Sequence, residues 1–185
     1  FMAEEDTWPI SDVWYYHDWH NHRYGSKTFS ELYKEGMDRK LGPSDNLDDF
    51  CKKAQLINYE SHRAIFEAWN SKMWNDASGV LLWMSHPAWP SMVWQNYSSN
   101  GETAGAYYGT QKACRPLHIQ MGLNSQHKVD IINTTLKEYR NLKVEVVVYD
   151  KLGKKIRSSQ QKVSHVTANA LTSVCLLYTS DAADE

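Results

Sequence analysis

Cysteine is scarce in this chain. Its three copies, Cys51, Cys114 and Cys175, lie far apart and lack CxxC spacing. That argues against both a disulfide framework and a structural zinc site. An excess of basic residues is also missing. Twenty Lys and Arg stand against 22 Asp and Glu, a formal net charge of -2. Without a basic footprint, nothing points to nucleic acid. No apolar run reaches the roughly 18 residues of a membrane span. No signal peptide is visible, because Phe1-Met2-Ala3-Glu4-Glu5-Asp6 is acidic where a leader would be basic. Such a start reads as the interior of a longer chain, so localisation stays open, and secretion or a periplasmic location remains compatible with it.

Aromatic residues are abundant. The 8 Trp and 11 Tyr concentrate where an apolar face must also meet polar groups, as in sugar-binding clefts. A large core built from big side chains is the alternative for any single indole. The length of 185 residues allows one domain or parts of two.

Residues 1–25 show no clean period and read as a long ordered loop, a kind of segment that is often functional. His17, His20 and His22 fall here. Their spacing does not put three rings on one helical face, and no HExxH frame is present, so no metal is expected. Thr28 and Glu31 have capping-box spacing, which predicts a short helix over Thr28–Met37. Asn46 caps a second, longer helix that runs to about Asn70. Leu47, Phe50, Ala54, Ile57, Ser61, Ala64, Ile65 and Ala68 recur at three- and four-residue steps and predict its buried stripe.

The stretch Gly79–Ser91 organises the rest. Val80–Met84 is a short apolar run of the kind that fills a strand buried on both faces. Pro87 and Pro90 end it. Trp83, Ser85, His86 and Trp89 sit around the break, the layout of a site at the carboxyl end of a parallel strand. A helical stretch follows near Tyr107–Cys114, and Arg115-Pro116 stops it.

Beyond Pro116 the composition changes. Leu117–Met121, Lys128–Thr134, Val144–Tyr149 and Lys154–Val163 read as short strands, with turns at Asn124-Ser125 and Asp150–Gly153. Val144, Val146 and Val148 share a face, with Glu145 opposite. So few strands cannot close a seven-stranded sandwich. Residues 175–185 fit nothing before them and resemble the translation of a sequencing adapter, so they are set apart from the fold.

Three blocks together carry a family likeness. They are Glu4–Trp14 with His17-Asp18, then Asn58-Tyr59-Glu60 with Arg63–Ala68, and Trp83–Trp94 followed by Gly105–Cys114. They resemble glycoside hydrolase family 2, nearest to the exo-β-D-glucosaminidase and mannosylglycoprotein endo-β-mannosidase branch. The resemblance implies an α/β plus β chain: residues 1–115 as the C-terminal portion of a (β/α)8 TIM barrel, and 116–174 as the start of an incomplete immunoglobulin-like β-sandwich. Residues 175–185 would not be native. The rest of the barrel would be missing.

The same resemblance implies retaining hydrolysis by two carboxyls about 5–5.5 Å apart. In the family these close strands four and seven, both upstream of Phe1. Glu4 and Glu5 do not follow a strand, and Glu60 and Glu67 lie on the helix, so no catalytic residue is expected here. What remains is one wall of a sugar pocket, with Trp83, Ser85, His86 and Trp89 as its candidate residues, and Trp14 and His17 reaching the same mouth. Barrel or interdomain packing is the alternative for the indoles, and a loop-holding hydrogen bond for His86. No cofactor is expected. The expected partner is an oligosaccharide or glycan with a terminal β-linked glucosamine or mannose. The fragment alone would be inactive. A non-catalytic carbohydrate-binding or structural module is the second class. The capped long helix ahead of an apolar strand favours the enzyme.

Overall fold

Thr28 starts the best-defined helix in the first half of the chain. Its hydroxyl accepts from Glu31 N, and the Glu31 carboxylate accepts from Thr28 N at 2.7 Å. This reciprocal box occupies two donors that a helix start otherwise leaves orphaned. The structure is a computed structural model and describes residues 2–18, 23–92, 94–121 and 128–174. His20, His22, Val93, the Asn124-Ser125 turn and the 175–185 tail lie outside the described residues.

In order, the elements are a 3₁₀ turn at Glu4–Asp6, α1 (Asp12–His17), β1 (Arg23–Tyr24), β2 (Lys27–Thr28), α2 (Phe29–Leu41), α3 (Leu47–Asn70), α4 (Gly105–Ala113), β3 (Leu117–Met121), β4 (Val129–Asn133), β5 (Tyr139–Tyr149), β6 (Lys155–Val166) and β7 (Ala170–Val174). The chain divides into two compact units, Phe1–Ile65 with Leu81–Lys112 and Phe66–Val80 with Ala113–Glu185.

The first unit corrects the reading of residues 1–25 as loop. Ser11 caps α1 by accepting from Val13 N at 3.3 Å. The short helix turns Trp14 inward, where its indole N–H donates to Asp6 O at 3.1 Å. Trp14, Met37 and Phe50 form the buried centre, and Trp14 meets Phe50 edge-on at 5.5 Å. Asn46 caps α3 as expected, its side-chain oxygen accepting from Asp49 N at 3.0 Å.

The α3–α4 contact is unusually close. Gln55 Oε1 accepts from Gly105 N at 2.5 Å, and Asn58 Oδ1 accepts from Ala106 N. Two side chains of α3 thus satisfy the first donors of α4. A methyl group on Gly105 would stand 2.1 Å from Gln55 O, and one on Gly109 would stand 2.2 Å from Tyr59 O. Glycine spaced by four residues lets these two backbones touch.

The predicted stripe of α3 holds at Phe50 and turns aside beyond Ile57. Ser61, Ile65 and Ala68 are exposed, while His62, Phe66 and Glu67 are buried. For Phe66 and Glu67 the reason lies in the second unit, to which they belong. There β3, β4 and β7 form an antiparallel sheet with β4 in the middle, and β5 and β6 form a hairpin. Every residue of β4 is buried. One of its faces packs Val129 and Ile131 with Val144, Val163, Val166 and Val174. The other carries Asp130, which β3 pairs with Gln120. Both His118 and Gln120 of β3 reach Glu67. His118 Nε2 lies 2.8 Å from Glu67 Oε1, and Gln120 Nε2 donates to Glu67 O at 2.7 Å. A polar sheet face selects a polar residue from the end of α3.

The hairpin turn is fixed by Asp150, whose carboxylate accepts from Leu152 N at 2.8 Å and Lys154 N at 2.9 Å, with Gly153 at φ +79°. Strand β7, absent from the sequence reading, completes the edge of the three-stranded sheet by pairing with β4.

Candidate functional site

Val80–Met84 is not a buried strand, contrary to the expectation from its apolar run. Leu81 is 96% exposed and Trp83 is 77% exposed. A strand buried on both faces requires a ladder partner on each edge and a layer on each side. Among the described residues no strand pairs with this segment. Its apolar side chains are therefore left facing solvent.

Met84, directly after Trp83, adopts φ +62°. A non-glycine residue rarely takes the left-handed region, and such outliers gather at functional loops. The turn hands the chain to Ser85 and His86, whose Oγ and Nδ1 lie 3.1 Å apart at the surface. Ser85 O accepts from Tyr97 N at 3.1 Å, which fastens the loop to its own return.

Trp89 and His17 come together from opposite ends of the first unit. Their rings lie 6.1 Å apart, tilted by 39°. His17 Nδ1 is 3.1 Å from Pro90 O, and a carbonyl accepts only, so that nitrogen carries the proton. The main chain joins them as well. Met92 N donates to His17 O at 2.7 Å, and Asp18 and Met92 form a parallel bridge. Trp89 remains 46% exposed. Trp89 is thus a half-exposed indole backed by the His17 ring, while Ser85, His86 and the largely exposed Trp83 stand a few residues earlier on the same loop. Apolar ring faces beside fixed donors and acceptors suit a pyranose, whose CH face packs on an indole and whose hydroxyls need partners.

Trp14 sits elsewhere. It is buried in the centre of the first unit, with its N–H taken by Asp6 O. It is the buried residue of α1, the helix that ends in His17.

The four glutamates weighed in the sequence lie as follows. Glu4 and Glu5 form the exposed 3₁₀ turn, Glu60 pairs with Lys40 at 2.5 Å, and the Glu67 carboxylate meets His118 while Gln120 binds its backbone carbonyl. Among the described residues no group of three or more His, Cys, Asp or Glu is placed to hold a metal. A cavity of about 530 Å³ opens in the first unit between Phe29, Phe50, Asn58, His62 and Gln95, and no described carboxylate lines it.

Two residues of this region lie outside the candidate set and within the family-like blocks. Asp18 is 1% exposed, and its Oδ2 accepts from Ser30 N at 2.9 Å and Ser30 Oγ at 3.0 Å. Asn58 donates to Trp94 O at 2.8 Å. Their partners are 12 and 36 residues away, too far for any local pattern to reveal.

No protein-family model matches the chain. Among characterised proteins, it is 33% identical over 138 residues to the mannosylglycoprotein endo-β-mannosidase of Lilium longiflorum, covering 75% of this chain and 14% of that protein. It is 32% identical over 173 residues to the exo-β-D-glucosaminidase of Amycolatopsis orientalis, covering 85% of this chain and 17% of that protein. The chain thus spans about a sixth of the length of these relatives. Among solved structures, the Amycolatopsis orientalis exo-chitosanase in complex with PNP-β-D-glucosamine superposes with a TM-score of 0.70 at 34% identity, over 82% of this chain and 18% of that one. The β-D-mannosidase of Dictyoglomus thermophilum shares the fold at 18% identity, with a TM-score of 0.72 over 95% of this chain and 21% of that one.

Proposed function

We propose, from the premise that this chain is homologous to one segment of the glycoside hydrolase family 2 enzymes of the exo-β-D-glucosaminidase and endo-β-mannosidase branch, that it is part of a retaining glycosidase. The whole protein hydrolyses a terminal β-linked glucosamine or mannose residue of a glycan. Residues 1–115 are the C-terminal portion of a (β/α)8 barrel, and 116–174 begin an immunoglobulin-like sandwich. Residues 175–185 are adapter-derived. The observation that carries this reading is the 173-residue similarity to an exo-β-D-glucosaminidase, which runs through both units.

In this reading Val80–Met84 is the last barrel strand, and its exposed apolar faces await the barrel strands encoded upstream. The loop after it is one wall of the sugar pocket. Trp83 and Trp89 offer ring faces to the pyranose. Ser85, His86 and His17 supply hydrogen bonds to its hydroxyls, and Trp14 supports His17 through α1. The acid/base and the nucleophile lie upstream of Phe1. They act through a covalent glycosyl-enzyme, with one carboxyl protonating the leaving oxygen and the other attacking the anomeric carbon.

The test is the full-length gene. Its product is expected to release p-nitrophenol from an aryl β-D-glucosaminide or β-mannoside, and the reading frame upstream should place an Asn-Glu pair at the end of one strand and a Glu at the end of another. Absence of both carboxylates, or no turnover of either glycoside, refutes the reading. The 185-residue chain alone is expected to hydrolyse neither.

A further inference from the structure

We infer that Asp18 is a positioning residue for the sugar wall, fastening the C-terminal end of α1, which carries His17, and through it the Trp89-Pro90 turn, to the first turn of α2. The inference rests on the reading of the loop after Met84 as a sugar wall. Asp18 is buried, and its Oδ2 takes both Ser30 N at 2.9 Å and Ser30 Oγ at 3.0 Å. Ser30 N is one of the orphan donors at the start of α2, where the macrodipole favours negative charge. A carboxylate there is held by a rigid element rather than by another loop.

From Asp18 the constraint passes outward in two ways. The parallel bridge to Met92 and the 2.7 Å bond from Met92 N to His17 O lock residues 17–18 against residue 92. His17 Nδ1 then reaches Pro90 O at 3.1 Å, and the His17 ring backs Trp89. Asp18 touches no sugar in this scheme. It sets where the indole stands, and an indole displaced by a fraction of an ångström stacks less well on a pyranose.

The experiment uses the full-length enzyme with p-nitrophenyl β-D-glucosaminide and p-nitrophenyl β-D-mannoside, and follows whichever it cleaves. Asp18→Ala is expected to raise KM about tenfold while kcat stays within about twofold, because the loss falls on binding. Asp18→Asn keeps one acceptor oxygen for Ser30 and is expected to recover most of the lost affinity. Ser30→Ala removes the hydroxyl donor alone and is expected to raise KM about threefold. The last two carry the test if Asp18→Ala does not fold. Unchanged KM in folded Asp18→Ala, or in both milder variants, overturns the inference. So does a parallel fall of kcat and thermal stability that Asn does not rescue. Trp83→Ala and Trp89→Ala separate the two levels. If they raise KM and the Asp18 and Ser30 variants do not, only the positioning role fails. If neither indole variant changes KM, the sugar wall itself fails and the role of Asp18 with it.

Discussion

The side-chain nitrogen of Asn58 lies 2.8 Å from the carbonyl oxygen of Trp94, and its oxygen takes the N–H of Ala106. One amide on α3 thus holds the return of the aromatic loop and the start of α4 together. Both functions need an amide, since one end must donate and the other accept. Asn58→Asp keeps the acceptor, loses the donor and sets a carboxylate against a carbonyl. A loss of about 1–3 kcal/mol is expected, measured by urea denaturation of the chain. Equal stability of Asn58→Asp and the parent would show that the Trp94 bond contributes nothing.

Glycines predict a graded series. Gly109→Ala places a methyl 2.2 Å from Tyr59 O, against backbone that cannot rotate away. Overpacking of this kind costs about 1–3 kcal/mol or more. Gly153→Ala meets no atom, but its φ of +79° costs about 1 kcal/mol with a side chain. Gly36 lies inside α2 with only the end of Arg39 nearby, so Gly36→Ala is expected to stabilise by about 0.5–1 kcal/mol. Thermal unfolding of the three variants should rank them in that order, and a Gly109→Ala chain as stable as Gly36→Ala would contradict the close α3–α4 approach.

Burial holds the His62 imidazole below its usual pKa, and its bond to Asn58 O only partly opposes this. The unfolded value is about 6.5. The folded state therefore disfavours protonation, so the stability tied to neutral His62 is complete above that value and is lost as pH falls through the lower folded-state value. Urea midpoints should drop between pH 7 and pH 5, and His62→Gln should flatten that slope. The Glu138 carboxylate, held down by Arg140 and His165, acts in a more acidic window, below its ordinary carboxylate range. A slope unchanged in His62→Gln would assign the acid sensitivity to other groups.

What could be read from the sequence follows the range of the forces involved. The Thr28–Glu31 box and the Asn46 cap act over three residues, and both are present. The alternation of Val144, Val146 and Val148 is a period-two signal, and β5 follows it at Val144, Glu145 and Val146 but loses it from Val147 on, where neighbouring residues are equally half-buried. Helix α1 escaped because its six residues lie in an aromatic stretch too short to show a period. The stripe fails at the end of α3 because the neighbour there is polar: Glu67 turned inward for His118, 51 residues away. The aromatic loop was visible as composition at Trp83, Ser85, His86 and Trp89. The meeting of His17 with Pro90, 73 residues apart, was not, since no local spacing encodes it. Val80–Met84 shows the opposite failure, a strand pattern without the strands it needs.

The pairing of His118 with Glu67 yields a final prediction. His118 Nε2 and Glu67 Oε1 lie 2.8 Å apart on the covered face of the β3–β4 sheet, with Gln120 bound to the Glu67 carbonyl and Ser173 Oγ donating to Asp130 at 2.6 Å alongside. Removing His118 takes away one hydrogen-bond partner of the buried Glu67 side chain, which costs about 1–3 kcal/mol. Replacing both with apolar residues of similar volume removes the penalty together with the attraction. His118→Leu is therefore expected to destabilise, while His118→Leu with Glu67→Leu recovers much of the loss. The comparison is a double-mutant cycle on the urea unfolding free energy. Additive losses in the double variant would mean that the two side chains act independently, each through its other neighbours, and that α3 is held to the sheet by Gln120 and apolar packing instead.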